Sequence, residues 1–391
     1  MMNPLDAYTT EELRQRRSVK WSWYPKDVLP FWIAEMDTPL AEPIRDVLLG
    51  ALAQSDLGYA NPDGGARDAF VEFAATRYNW RPELEDVRVS PSIMTGVVEI
   101  LRRVTEPGDA VVINPPVYPP FFSFVSDSGR RIVESPLARR DDGSLHIDLD
   151  RLERDFAAGA AAYLLCSPQN PTGGVYDRET LLAVSALAER YDVRVLADEV
   201  HAPLTLPGST HIPFLSLGTK AAARAIAFHS ASKAWNLAGL TCAILVGGPE
   251  ARPDLNQIPE HFTDAVGHLG TLATESAFRD GTQWLDSLLA GLDANRHHLG
   301  ELLKVQLPEI GYRIPEATYL AWLDCTRLNL GDDPAEIFLE SGRIAVNSGL
   351  AFGTPGIGHV RFNFATSADR IAEGVRRMAS TVEKIRADRG E

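Results

Sequence analysis

Three polar side chains stand just past three consecutive apolar runs of this 391-residue chain. Asn170 follows AAYLLC in SPQNPTGG, Asp198 follows VRVLA in ADEVH, and Lys233 follows ARAIAF in HSASKAWNLAGL. Each has an ordinary explanation by itself. Asn-Pro-Thr-Gly is good turn chemistry, an Asp followed by Glu199 suits a helix N-cap, and a lysine beyond a buried strand commonly reaches out to water. S-x-S-K alone is cheap, arising by accident in roughly one chain in ten of this length at average residue usage. Amide, carboxylate and amine together, each at a strand end, suggest a shared task.

One chemistry asks for this set. A lysine amine forms a Schiff base with an aldehyde cofactor. A carboxylate pairs with a protonated pyridine nitrogen and keeps the ring an electron sink, and an amide hydrogen-bonds the ring hydroxyl. Those are the needs of pyridoxal 5'-phosphate. A cation within about 4–6 Å would hold the carboxylate ionised and lower its pKa by roughly 1–3 units. The phosphate needs donors too. Ser230 offers a hydroxyl shortly before the lysine, and VRVSPSIMTGVVEILRRV reads as strand, turn and helix. That pattern puts the backbone N–H groups of Met94 and Thr95 at a helix N-terminus, where anions bind. Tyr118, in NPPVYPPF, can lay its ring on the pyridine face.

These side chains need a frame that brings strand ends together. In an open α/β sheet, ligands bind at the carboxyl ends of the strands. The runs AVVI, AAYLLC, VRVLA, ARAIAF and TCAILVG alternate with turns and amphipathic helical patterns such as ETLLAVSALAERY. Continuous apolar strands of that kind predict a mostly parallel sheet covered on both faces. From about residue 263 to 305 helical patterning dominates, and then GYRI, TYLAWLD, HVRFNFA and a charged last helix follow. The expected division is an N-terminal segment, 1–48, packing with a small domain; a large cofactor-binding domain, 49–285; and a small α+β domain, 286–391.

Composition narrows the partners. With 45% hydrophobic and 23% charged residues the chain reads as a soluble globular protein with room for a large and a small domain. A formal net charge of −15 disfavours nucleic acid and anionic membranes, which need clustered Lys and Arg. No apolar stretch approaches the roughly 20 residues that span a bilayer. MMNPLDAYTTEELRQRR carries charges where a signal peptide needs its apolar region. Cys166, Cys242 and Cys325 match neither a disulfide framework nor a zinc pattern. We therefore expect a cytoplasmic protein with no metal.

NPPVYPPF, NPTGG, DEVH and SASKAWNLAGL, in that order, resemble the fold-type I aminotransferase superfamily of pyridoxal-phosphate enzymes. RRSVKWSWYPKDVLPFWIAEMDTPL, GYANPDGG and HVRFNFAT narrow the likeness to its cystathionine β-lyase (C–S lyase) group, of the MalY/PatB type. The resemblance spans about residues 16 to 370. It implies an α/β fold with a seven-stranded-type, mostly parallel sheet in a large domain, a smaller α+β domain and a homodimer. It also implies that Lys233 holds the cofactor and moves the proton, Asp198 binds the pyridinium, Asn170 the ring hydroxyl, and that Tyr118 stacks. Ser230 with the backbone at Met94 and Thr95 would hold the phosphate. Tyr59 resembles a tyrosine that reaches the partner subunit's phosphate, and Arg361 the arginine that forks onto the substrate α-carboxylate.

Four positions depart from common patterns. His201 stands where many aminotransferases have a tyrosine, and Thr241 where they place a phosphate-binding arginine; both fit the lyase group. Glu35 replaces the group's usual Asp, and Pro203 stands near where it has an acidic residue. His201 is expected to contact the cofactor. The aromatic residues Trp21, Trp23, Tyr24, Phe31 and Trp32 either line the substrate entrance or dock their segment onto the small domain. The expected activity is β-elimination from L-cystathionine or a related cysteine S-conjugate, giving a thiol, pyruvate and ammonia. The alternatives are a class I/II-type aminotransferase, or a regulatory protein that keeps the fold and binds a partner.

Overall fold

The computed structural model describes residues 3–390, and in it the apolar runs become one seven-stranded sheet. In chain order its strands are β1 (Val87–Ser90), β2 (Ala110–Ile113), β3 (Arg131–Glu134), β4 (Ala160–Cys166), β5 (Arg194–Asp198), β6 (Ile226–His229) and β7 (Ala243–Gly247). Across the sheet they lie in the order β1-β7-β6-β5-β4-β2-β3. Only β7 is reversed, pairing antiparallel with β1 and β6, while the other pairings are parallel.

The strand sequences explain that placement. Every residue of β2, β6 and β7 is buried, so these strands are stable only with both sheet faces covered. Alternate residues then divide between two cores. Ile113, Leu164, Leu196 and Ile226 pack against Ile100 of α1 (Ile93–Val104) and Phe124 of α2 (Pro120–Asp127). Val112, Tyr163, Val195 and Ala197 face the other way, onto Leu181 and Val184 of α3 (Arg178–Arg190).

A second sheet holds β8 (Gly311–Tyr312), β9 (Leu320–Asp324), β10 (Asn347–Ser348) and β11 (His359–Asn363), antiparallel in the order β8-β9-β11-β10. The N-terminal segment joins this side of the molecule. Leu29–Pro30 pairs in parallel with Ile344–Ala345, and Phe31 stacks on Phe362 with ring centroids 4.3 Å apart. The expected boundary at 285/286 falls inside one continuous helix, Thr282–Gln306. Within that helix Gly291 leaves room for Asn3 and Leu5, which sit where a Cβ there would project. Among the described residues no helix is long and apolar enough to cross a membrane, and no cluster of His, Cys, Asp and Glu could hold a metal ion.

Candidate active site

Parallel pairing sets the neighbouring ends of β4, β5 and β6 side by side: Cys166 lies opposite Asp198, and Asp198 opposite Phe228. The loops beyond these three strands therefore start from one edge of the sheet. After β4, Gln169 folds the turn by donating to the Pro116 carbonyl at 2.6 Å and accepting from Thr172 N–H at 2.9 Å. Asn170 N–H points back to Cys166 Sγ at 3.4 Å. After β5, Asp198 Oδ1 accepts from Val200 N–H at 3.1 Å. It closes a local turn rather than capping a helix, since the next element, the 3-10 turn Ala202–Leu204, begins only after His201.

The loop after β6 is tied at both ends. Ser230 Oγ donates to the Cys242 carbonyl at 2.9 Å and accepts from Ser232 N–H at 3.1 Å. Asn236 bonds both the N–H and the carbonyl of Met36, at 2.8 and 3.0 Å, and so fastens the N-terminal segment beside Lys233. The Lys233 amine and the buried Tyr319 hydroxyl both donate to the Ala34 carbonyl, at 3.4 and 3.0 Å. That carbonyl is one wall of the site.

A cavity of about 180 Å³ opens at this edge, and Met94, Tyr118, Asp198, Ser230 and Lys233 all line it, with Thr241. Thr95 does not line it: its N–H is bonded to Ser92 Oγ at 3.1 Å, so the helix cap has taken the donor that the sequence offered to a phosphate. Asn170 and Arg361 meet beside the cavity rather than on its wall. Arg361 donates to Asn170 Oδ1 and to the Trp32 carbonyl, each at 3.1 Å, and its guanidinium lies 5.0 Å from the Phe352 ring centre. Its Nε is buried with no hydrogen-bond partner among the described residues. His201 is buried, its Nδ1 likewise unpartnered, with its ring edge-on to Tyr319. Tyr59 is 93% exposed and lies off the cavity wall.

Burial dominates the electrostatics. It pushes Asp198 up to about 7, over the opposing effects of Val200 N–H and the Lys233 charge, and the neighbouring Glu199 adds to the rise. The expected lowering therefore does not arise from the protein's own groups, because Lys233 alone does not offset the desolvation. Lys233 is pushed down to about 8, by burial first and the Arg361 charge second, against Asp198 and Glu35. His201 is lowered to about 3 by burial with help from Lys233 and Arg361, so its imidazole is neutral. A carboxylate that resists ionisation welcomes a cationic ring nitrogen. The aromatic wall of Tyr118, the Asp198 carboxylate and the unpartnered His201 nitrogen fit pyridoxal phosphate, while the Ser230 hydroxyl lines the cavity with its one proton given to the Cys242 carbonyl.

Several contributors carried no sequence signal. The Ala34 and Trp32 carbonyls are backbone groups, and Tyr319 sits in an ordinary-looking strand run. Of the N-terminal aromatics, Phe31 docks its segment onto the small sheet by stacking on Phe362, and none of the five lines the cavity. Trp21 donates to Asp37 at 2.7 Å, a buried bond within the segment itself. Trp32 reaches Arg361 through its carbonyl, and packs with Tyr24 and with Trp23, which is 68% exposed. Glu35 is half-buried, its carboxylate accepting from Ser18, and Pro203 is buried in the 3-10 turn.

Known proteins are similar to this chain over nearly its whole length. The profile of the family described as "Aminotransferase class I and II" matches residues 41–378. A Mycobacterium leprae protein assigned as a cystathionine beta-lyase is 44% identical over 98% of this chain and 99% of its own. The cystathionine beta-lyase of Corynebacterium glutamicum is 34% identical over 95% and 98%. Among solved structures, cystalysin from Treponema denticola, which contains a pyridoxal 5'-phosphate cofactor, superposes with a TM-score of 0.90 at 27% identity, covering 95% of this chain and 97% of that one. The chain belongs to the class I and II aminotransferase family.

Proposed function

We propose that this protein is a pyridoxal-phosphate-dependent carbon–sulfur β-lyase that cleaves L-cystathionine or related cysteine S-conjugates to a thiol, pyruvate and ammonia. The observation that carries the reading is the half-buried Lys233 amine and the buried Asp198 carboxylate lining one cavity together with Tyr118. Its relatives named as cystathionine beta-lyases support the substrate class. When bound, the cofactor supplies the electron sink that lets a proton leave Cα and a thiolate leave Cβ.

The chain's own residues do the rest. Asp198 offers a negative charge to the ring nitrogen. The Lys233 amine, lowered to about 8, is free of its proton often enough near neutral pH to take one from Cα. Arg361 offers its unpartnered Nε edge to the substrate carboxylate, while Asn170 and the Trp32 carbonyl fix the guanidinium plane. Tyr118 and the N-terminal segment narrow access for water.

S-methyl-L-cysteine and L-norvaline test the reading, because they match in shape but only the first has a leaving group at Cβ. Without any oxo acid, S-methylcysteine should give pyruvate continuously and norvaline none. Conversion of both, and only with an oxo acid present, would identify an aminotransferase instead.

We also infer a homodimer working in the cytoplasm, with Tyr59 reaching the partner subunit's phosphate site. Leu49, Leu52 and Leu57 are exposed by 56%, 53% and 59% and lie close in sequence to Tyr59, so a second copy would cover apolar surface there. Sedimentation should give a two-chain species; a monomer at assay concentration would contradict a shared site.

A further inference from the structure

Behind Asp198 lies a second, fully enclosed carboxylate. Glu199 has no exposed surface. Its Oε1 accepts from Phe214 N–H at 2.8 Å, its Oε2 is 3.1 Å from His211 Nε2, and His229 Nε2 approaches Oε2 at 3.6 Å. Its backbone is held as firmly, N–H to the Phe228 carbonyl and carbonyl from Ala202 N–H, both at 2.9 Å. Those contacts come from the end of β6, from the loop at 211–214 and from the 3-10 turn. Aromatic rings seal them in: Phe70 lies 4.6 Å from the His229 ring and Tyr78 5.3 Å from that of His211.

We propose that Glu199, gripped by His211 and Phe214 N–H with His229 packed alongside, is a positioning residue that fixes the turn presenting Asp198 and His201 to the cofactor ring. Successive residues at a strand end point to opposite sides. Asp198 therefore turns into the cavity while Glu199 anchors the same peptide to the far side. A buried carboxylate is costly unless its acceptors are matched, and here each oxygen has a donor or an imidazole. The grip is specific to this turn, because Glu199 is flanked by Asp198 on one side and, two residues on, by His201. If the anchor is lost, the chain between 198 and 201 gains freedom, and Asp198 no longer meets the ring nitrogen at one fixed angle.

The proposal rests on the pyridoxal-phosphate reading, and its test separates the two. Wild type, Glu199→Leu and Glu199→Gln are stripped of cofactor, titrated with pyridoxal phosphate, and followed by visible circular dichroism, which reports ring orientation. Glu199→Leu should bind the cofactor roughly 10- to 100-fold more weakly, the scale of an unmatched charged hydrogen bond. It should show a diminished visible dichroic band and a lower kcat with KM within about twofold. Glu199→Gln keeps the reach and the acceptor for Phe214 N–H, and should restore most of the affinity and the band. His211→Phe, at the rim of a solvent-facing cavity lined also by Tyr78, should lose affinity in the same direction. It serves if the leucine variant fails to fold. A folded Glu199→Leu or His211→Phe protein with wild-type affinity and dichroism, and only reduced thermal stability, would overturn the positioning role. A wild-type protein that takes up no cofactor would instead overturn the reading beneath it.

Discussion

Lys233→Ala should lose turnover by at least ~10⁴-fold, at the upper end of what one general base contributes, while staying folded and still taking up pyridoxal phosphate. The fold has little stake in this side chain. Lys233 is half-buried, and its one hydrogen bond, to the Ala34 carbonyl, is long at 3.4 Å. Burial already disfavours its charge, so removing the amine relieves a cost instead of creating a cavity in a packed core. The reaction has everything at stake, because the same nitrogen would hold the cofactor and carry the proton from Cα. On the proposed reading, Tyr118, His201 and Asp198 would remain to hold the cofactor without a covalent bond. The checks are kcat, the visible spectrum and far-ultraviolet dichroism. Turnover within tenfold of wild type in the alanine variant would remove Lys233 from the mechanism.

Asp198→Asn gives the second large effect, with two readouts. Asparagine keeps the size and an acceptor for Val200 N–H but removes the charge that holds the ring nitrogen protonated. A loss of roughly 10³-fold in kcat is expected, about 4 kcal/mol of transition-state stabilisation. The second readout is stability of the cofactor-free protein against pH. The folded pKa of Asp198, about 7, is raised above its ordinary 3.8. Its contribution to stability is therefore complete below pH 3.8 and is lost as pH rises to about 7, by up to about 4 kcal/mol. Lys233, at about 8, stays mostly protonated over that window and adds little slope. Wild type should lose ground to Asp198→Asn in thermal midpoint between pH 4 and 7, and regain it when cofactor is added. A midpoint difference that stays constant with pH would mean that Asp198 ionises as freely as an exposed carboxylate.

The strand ends were legible because turn chemistry comes straight after unbroken apolar runs there. Asn170, Asp198 and Lys233 could be read as neighbours once a parallel sheet was inferred, since parallel pairing aligns the ends of successive strands. Competition for the same atoms was beyond the reach of sequence. Met94 and Thr95 both belong to a helix N-terminus, yet Ser92 takes the Thr95 N–H through a cap whose fourth residue is Thr and not the usual Glu. The carboxylate-fork role of Arg361 rests on resemblance, and its partners Asn170 and Trp32 lie 191 and 329 residues away in the chain. Glu199 read as an N-cap neighbour because its partners His211 and His229 meet it only through the folded sheet. Helical patterning was legible across 285/286, but not that a single helix, Thr282–Gln306, runs through the expected boundary.

The most direct test of the central claim is to supply L-cystathionine alone, with no oxo acid, and count products per cofactor. Both elimination and transamination begin with loss of the Cα proton, which the proposed mechanism gives to Lys233, and the two routes part at the next step. Elimination expels the thiolate and leaves the enzyme ready for another substrate. Transamination leaves the amino group on the cofactor and halts until an oxo acid removes it. The account predicts pyruvate, ammonia and free thiol in equal amounts, over many turnovers, with the cofactor's visible band restored at the end. One equivalent of substrate consumed, and then a stop that only an oxo acid relieves, would contradict it.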